Sequence, residues 1–238
     1  MSNKKNPIRS PQLNEIAYQK IKESIVTLKL APGEQVDEER LAKILSIGRT
    51  PIREALFRLN AEKLVEVLPG RGFFVREINL SSLKDLFETM LILERSAAAL
   101  AAKRIRSDRI EYLQKQNNDL QRAWQARNFL KVTLLNSQFH RTIYNATENI
   151  FLCAYLDNLQ NQSQRLAFLC FSKDIPGYDL ESHARLAVNG HQALIEAFRQ
   201  GQDLEAVKVI SEHVKLFQRR VNHFLLPSLD SINHVAQP

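Results

Sequence analysis

Gly48-Arg49-Thr50-Pro51-Ile52-Arg53-Glu54-Ala55-Leu56 decides the fold of the N-terminal third of the chain. It reads as the end of a tight turn entering a short helix, with Thr50 as N-cap and Pro51 in the first helical position. Arg49 then lies just outside the helix and Arg53 at its third position, so both guanidinia reach one surface. Ile52, Ala55, Leu56 and Leu59 supply the opposite, buried stripe at helical spacing. A helix that buries one face and opens with paired arginines suits a reader of the DNA major groove.

Working outward, Val36 to Leu45 forms a short amphipathic helix capped by Asp37, and Ser46-Ile47-Gly48 leads from it into the arginine helix. Leu13, Ile16, Ala17, Ile21, Ile25 and Leu28 mark an earlier helix ending at Ala31-Pro32-Gly33. Downstream, Leu64-Val65-Glu66-Val67-Leu68 and Phe73-Phe74-Val75 flank Pro69-Gly70-Arg71-Gly72, two β-prone runs around a hairpin tip. Three helices and a hairpin make a winged helix-turn-helix with Arg71 on the wing. Each piece alone is ordinary: an Arg-x-x-x-Arg pair is usually a solvated helix face. Their order carries the reading.

Residues 11–76 resemble the DNA-binding domain of GntR-type bacterial transcription regulators. The match runs through Glu38, Leu41-Ala42, Arg49 to Leu56, Leu59, Leu64-Val65 and Gly70 to Gly72. The resemblance implies that Arg49 and Arg53 contact an operator, with Thr50 near phosphate and Gly70 and Arg71 at the adjacent minor groove. Two positions depart from the family pattern, which usually has Gly at position 46, where Ser46 stands, and a hydroxyl residue at position 48, where Gly48 stands. Lys20, Lys22 and Lys43 are further candidates for phosphate contacts, which position without specifying.

Composition is compatible with a polyanionic partner. The chain has 238 residues, a formal net charge of +7 and a pI near 9.5. Residues 1–78 hold fourteen Lys/Arg against ten Asp/Glu, so +4 of the +7 falls in the first third. Cys153 and Cys170 share one expected helix, cannot pair within it, and read as core thiols of a reducing cytoplasm. Residues 1–10 lack the apolar core of a signal peptide, and no apolar run is long enough to span a membrane. A cytoplasmic protein with no membrane partner is expected.

After a connector at 77–81, Ser81 or Ser82 caps a helix, and only helical periodicity follows. Breaks give six helices, at 82–105, 109–126, 129–145, 148–172, 179–199 and 203–225, with 226–238 as a frayed tail. The expected fold is thus mainly α: a winged helix-turn-helix followed by a six-helix bundle. Asn136 and His140 stand four apart on one helical face. His191 lies ten residues before the turn at Gly201 and His213 twelve after it, at nearly the same level of an antiparallel pair. Three imidazoles and an amide oxygen can converge there on one cation with positions left open, although a single buried His is more often a hydrogen-bonded core residue. His183, His223 and His234 have no matched partner and read as surface or structural.

Residues 82–225 resemble the all-helical FCD effector domain of the FadR-type branch of GntR regulators, and the six-helix count resembles its VanR-like subgroup. The resemblance implies a divalent metal on Asn136, His140, His191 and His213, zinc first with nickel or manganese as alternatives, and a small-molecule effector, a carboxylate being one kind. Asn136 replaces the family's usual Asp, a neutral and weaker ligand. An Arg that often precedes Glu94 by four residues is here Met90, so Met90, Glu94 and Arg165 are the candidate effector-binding residues, with Arg165 able to supply charge instead. Phe139, Phe168 and Leu169 make a less charged, partly apolar ligand equally plausible.

The expected function is that of a ligand-responsive repressor, binding a near-palindromic operator in double-stranded DNA as a homodimer. The alternative is a metal-dependent hydrolase on the three histidines, with Glu148, Glu181 or Glu212 as base by sequence only. No nucleophile elbow accompanies them.

Overall fold

The computed structural model describes residues 10–78, 82–173 and 178–235, with side chains described from 12 to 225. The chain divides into two compact units between Asn79 and Leu80, and each is described by itself.

The first unit orders α1 (Ser10–Val26), α2 (Glu38–Leu45), α3 (Arg49–Ala61), β1 (Val65–Leu68) and β2 (Gly72–Val75). Ala17, Ile21 and Ile25 of α1 meet Ile52, Leu56 and Leu59 of α3, and Leu64 and Val75 close the core. Asp37 caps α2 as expected, accepting from the Arg40 amide at 2.9 Å. Ser46 then turns the chain in the left-handed conformation, φ 54°, the conformation that favours the glycine usual at this position. The arginine helix starts two residues earlier than its sequence suggests. Gly48 is the N-cap, without a side-chain cap bond, so Arg49, Thr50 and Pro51 occupy the first three helical positions. Proline fits because no N–H in that first turn has an intrahelical acceptor.

The two strands pair antiparallel, from Val65 opposite Val75 to Leu68 opposite Gly72. Gly70 and Gly72 both take positive φ, 71° and 91°, which lets Pro69 to Arg71 form the tip. The segment before α2 adds to the outer edge of the hairpin, Val36 donating to the Phe73 carbonyl and Val75 to that of Glu34. Lys22 is no phosphate contact: its ammonium is buried against Glu62 at 2.8 Å and the Tyr18 hydroxyl at 2.9 Å. That pair ties α1 to the end of α3.

The second unit is helical throughout its described residues: α4 (Leu83–Arg104), α5 (Ser107–Gln125), α6 (Phe129–Ala146), α7 (Ile150–Ser172), α8 (Leu180–Arg199) and α9 (Asp203–Val235). Asn128, Asn149 and Asp179 cap α6, α7 and α8 through their side chains. Ala97, Ala98, Ala101 and Ala102 give α4 a small-residue face in a core that includes Leu113, Phe139, Ile143, Leu194 and Ile210. The expected boundaries hold within two residues except at the C-terminal end of the last helix. Helix α9 runs ten residues past 225, through Pro227, because apolar residues at 221, 225, 229, 232 and 235 keep helical spacing across the proline. Ser81 lies outside the described residues, and Ser82 is the residue that precedes α4.

Candidate nucleic-acid interface and metal-ligand cavity

On the first unit, the start of α2, the outer face of α3 and the hairpin tip enclose an open concave surface. Arg49, Thr50, Arg53 and Arg71 line it, with Glu38 and Glu39 on the α2 side. Buried Ile52 and Leu56 on the opposite stripe of α3 hold the arginine face outward. Arg49 pairs with Glu39 at 2.5 Å, both side chains more than half exposed, so the pair is inexpensive to exchange for an external acceptor. Arg71 sits over the Phe74 ring at 5.1 Å, and its carbonyl accepts from Gln35, which fixes the tip beside α2. Gly70 has open space where a side chain would stand. Lys43 is exposed on α2 outside this concave surface. The arrangement presents three guanidinia and a hydroxyl on one surface, the donor set that phosphate and guanine edges accept.

In the second unit α6, α8 and α9 bring His140, His191 and His213 together, one ring nitrogen of each lying within 4.8 Å of the others. His140 Nε2 and His213 Nε2 are 3.3 Å apart. His191 Nδ1 faces Asn117 Oδ1 at 3.2 Å, so it carries the proton and leaves the buried Nε2 lone pair without a partner. His140 Nδ1 lies 3.3 Å from Glu94 Oε1, close but outside hydrogen-bond alignment, and that carboxyl also accepts from the Tyr144 hydroxyl. Phe139 stacks on His191 with centroids 4.0 Å apart, fixing the ring plane.

Burial, and then the neighbouring imidazoles, push His191 well below the ordinary histidine range. Burial first, then His140 and His183, push His213 down to about 3. Burial also raises the Tyr144 hydroxyl well above its usual value, with Glu94 adding to the effect. His191 and His213 are therefore held neutral at physiological pH, the form a metal requires. Three convergent imidazoles, with the His191 Nε2 lone pair left bare and its ring oriented by Asn117, fit a divalent cation.

Asn136, one turn before His140, lines the same cavity as His140 and His213. Met90 and Glu94 also line it, and Arg165, buried on α7, does not. Nor do Phe139, Phe168 or Leu169, whose place on the apolar wall belongs to Phe171 and Phe217. His183 is buried, bonded to the Tyr178 hydroxyl at 2.8 Å, and lines the cavity as well. His223 meets the Tyr178 ring, while the side chain of His234 lies outside the described residues. Glu148 sits in a turn, Glu181 holds Trp124 and Arg127, and Glu212 pairs with Lys215, so none of these is a base beside the histidines.

Three contributors are not visible in the sequence pattern. Asn117 on α5 orients the His191 ring, and Tyr144 on α6 fixes Glu94 beside His140. Gly190 lies inside α8 where an added Cβ would stand 3.3 Å from His213 Nδ1, so glycine makes room for that ring. A glycine inside a helical pattern was the available signal.

Comparison with known proteins places both units. Residues 13–75 match the family described as bacterial regulatory proteins, gntR family, and residues 85–216 match the FCD domain. The Nta operon transcriptional regulator of Aminobacter aminovorans is 33% identical over 145 residues, 60% of this chain and 66% of that protein, just under two thirds of its length. The HTH-type transcriptional repressor RspR of Escherichia coli is 21% identical over 204 residues, 85% of this chain and 86% of its own. Among solved structures, E. coli McbR/YncC superposes with a TM-score of 0.75 at 20% identity, covering 91% of this chain and 98% of that one, which shows the shared fold. The relatives are transcriptional regulators and not enzymes, which sets the hydrolase alternative aside. Among the described residues no helix is long and apolar enough to cross a membrane. The chain belongs to the gntR family of bacterial regulatory proteins, as a member carrying an FCD domain, and is a DNA-binding transcription regulator.

Proposed function

We propose that the chain is a cytoplasmic, effector-responsive repressor that binds a near-palindromic operator as a homodimer and holds one divalent cation per helical domain. The convergence of His140, His191 and His213 carries the metal reading. Three imidazole nitrogens within 4.8 Å of one another suit a borderline divalent cation, zinc first with nickel or manganese as alternatives. Asn136 is the proposed fourth ligand, a neutral one; Asn117 holds the His191 ring so that it presents Nε2, and Glu94 stands beside His140. A bound cation supplies a Lewis-acid point for an effector oxygen. Met90 and Glu94 belong to the effector wall, and the six helices α4 to α9 support a VanR-like placement.

On the DNA side, Arg49 and Arg53 donate to guanine edges, Thr50 and Lys43 to phosphate, and the Gly70-Arg71 tip enters the neighbouring minor groove. A two-fold dimer asks for a two-fold operator. An effector shifts operator affinity to the extent that it binds one arrangement of the DNA-binding units better than the other. The name of RspR supports repression as the sense of the response.

Native mass spectrometry of the untagged chain is the test. A dimer carrying one divalent ion per chain is expected, with operator affinity altered when the ion is chelated. A dimer that stays metal-free after zinc, nickel and manganese are added would remove the cation from the mechanism.

A further inference from the structure

We infer that the cavity beside the three histidines takes a small amine with an apolar body, the chemistry of an apolar α-amino acid, in preference to a polycarboxylate. This rests on the sensor reading above for the ligand's single carboxylate, which the cation would take, and on the cavity wall for the rest.

Two oxygens on residues of that wall, Glu94 Oε2 and Gln164 Oε1, are buried and receive no hydrogen bond. Both side chains are held by their other ends. Glu94 Oε1 accepts from the Tyr144 hydroxyl, and Gln164 Nε2 donates to Ser137 Oγ at 2.9 Å. The acceptors are thus fixed in place and call for donors, because a buried acceptor left bare is costly. Among the described residues no lysine or arginine lines the cavity, and Glu94 is the single acidic side chain. A second carboxylate on a ligand would meet no cation and would face Glu94. An ammonium offers three donors and complements a carboxyl, whereas a hydroxyl offers one. Beyond the polar end, Met90, Val214, Phe171 and Phe217 form an apolar wall around a cavity of about 40 Å³, so these side chains must move apart to admit the rest of the ligand.

The test is calorimetry on the zinc-loaded full chain with matched probes: L-valine against isovalerate, L-phenylalanine against 3-phenylpropionate, and succinate. At least one amino acid is expected to bind about tenfold or more tightly than its deaminated partner, the worth of one charge-assisted hydrogen bond, and succinate weakest. Gln164→Leu is expected to narrow that preference severalfold while zinc content by elemental analysis stays unchanged. Succinate or a deaminated acid binding as tightly as its amine, or silence from both amino acids, overturns the inference. The two readings fail separately. A chain that rejects metal yet still prefers the amines loses the cation alone, and a zinc-loaded chain that prefers succinate loses the amine alone.

Discussion

The candidate DNA contacts Arg49 and Arg53 are four residues apart on α3, exposed, and backed by a core that does not include them. The candidate metal ligands are spread over α6, α8 and α9, with 73 residues separating His140 from His213, and two of the three are buried. Function in the first unit is thus laid on top of a finished fold, and in the second it is part of the packing. Substitution ought to separate activity from stability in one unit and confound them in the other.

The largest expected effect tests the first half of that contrast. On the proposed reading Arg53→Ala removes one guanine contact per half-site, about 1–3 kcal/mol each, so operator affinity by fluorescence anisotropy should fall by about thirtyfold to above ten-thousandfold. Binding to random DNA and the thermal midpoint should barely move, since Arg53 is exposed. A footprint on the operator unchanged by this variant would sink the assignment of α3 as reader.

Acidification tests the second half. All six histidines lie beyond residue 139, and His183 is pushed down to about 4, by burial first and then by Arg220 and Arg219. Its folded value is below the unfolded one, so it costs nothing above about pH 6.5 and destabilises the fold as pH falls from there toward 4. At pH 5 His183 alone amounts to about 2 kcal/mol, and His213, at about 3, acts in the same direction. Calorimetric scans at pH 7 and pH 5 should therefore lower the helical unit's transition more than that of the DNA-binding unit. Equal shifts would mean the histidines are not buried neutral.

Legibility followed the same divide. The helix-turn-helix could be read because its determinants are contiguous, Asp37 to Leu56, and its boundary error was two residues, set by a glycine cap that offers no side chain to recognise. The spacing of His191 and His213 about Gly201 anticipated their meeting on α8 and α9, since antiparallel neighbours convert equal distance from a turn into equal height. What periodicity cannot show is which polar residue of a third helix faces them. Asn117 and Glu94 look like any amphipathic-helix polar residue until the bundle closes, and Lys22 looked like a surface cation until Glu62 folded over it.

Gly190 puts function and packing at one atom. Replacing it with alanine adds helix propensity of about 1 kcal/mol, but the new methyl stands 3.3 Å from His213 Nδ1 and the ring must give way. The metal-free protein is expected to hold or gain stability while zinc affinity, followed by competition with a chromophoric chelator, falls about tenfold, as for loss of a ligand-orienting contact. Unchanged affinity would show that the His213 ring has slack.

The smallest effect belongs to the turn before α3. Ser46 holds φ 54° while exposed, a conformation that costs a residue with a Cβ and not glycine. Ser46→Gly should raise the stability of the first unit by about 0.5–1 kcal/mol, offset in part by the freedom glycine adds to the unfolded chain. Gly48→Ser should add a few tenths of a kcal/mol by capping α3, because the added Cβ would meet Pro51 Cδ at an ordinary 3.9 Å. Neither change touches Arg49 or Arg53, so equilibrium unfolding should shift while sequence preference stays put. If Gly48→Ser also tightens binding to random DNA, the new hydroxyl has found a phosphate, and position 48 joins the positioning contacts rather than the reading ones.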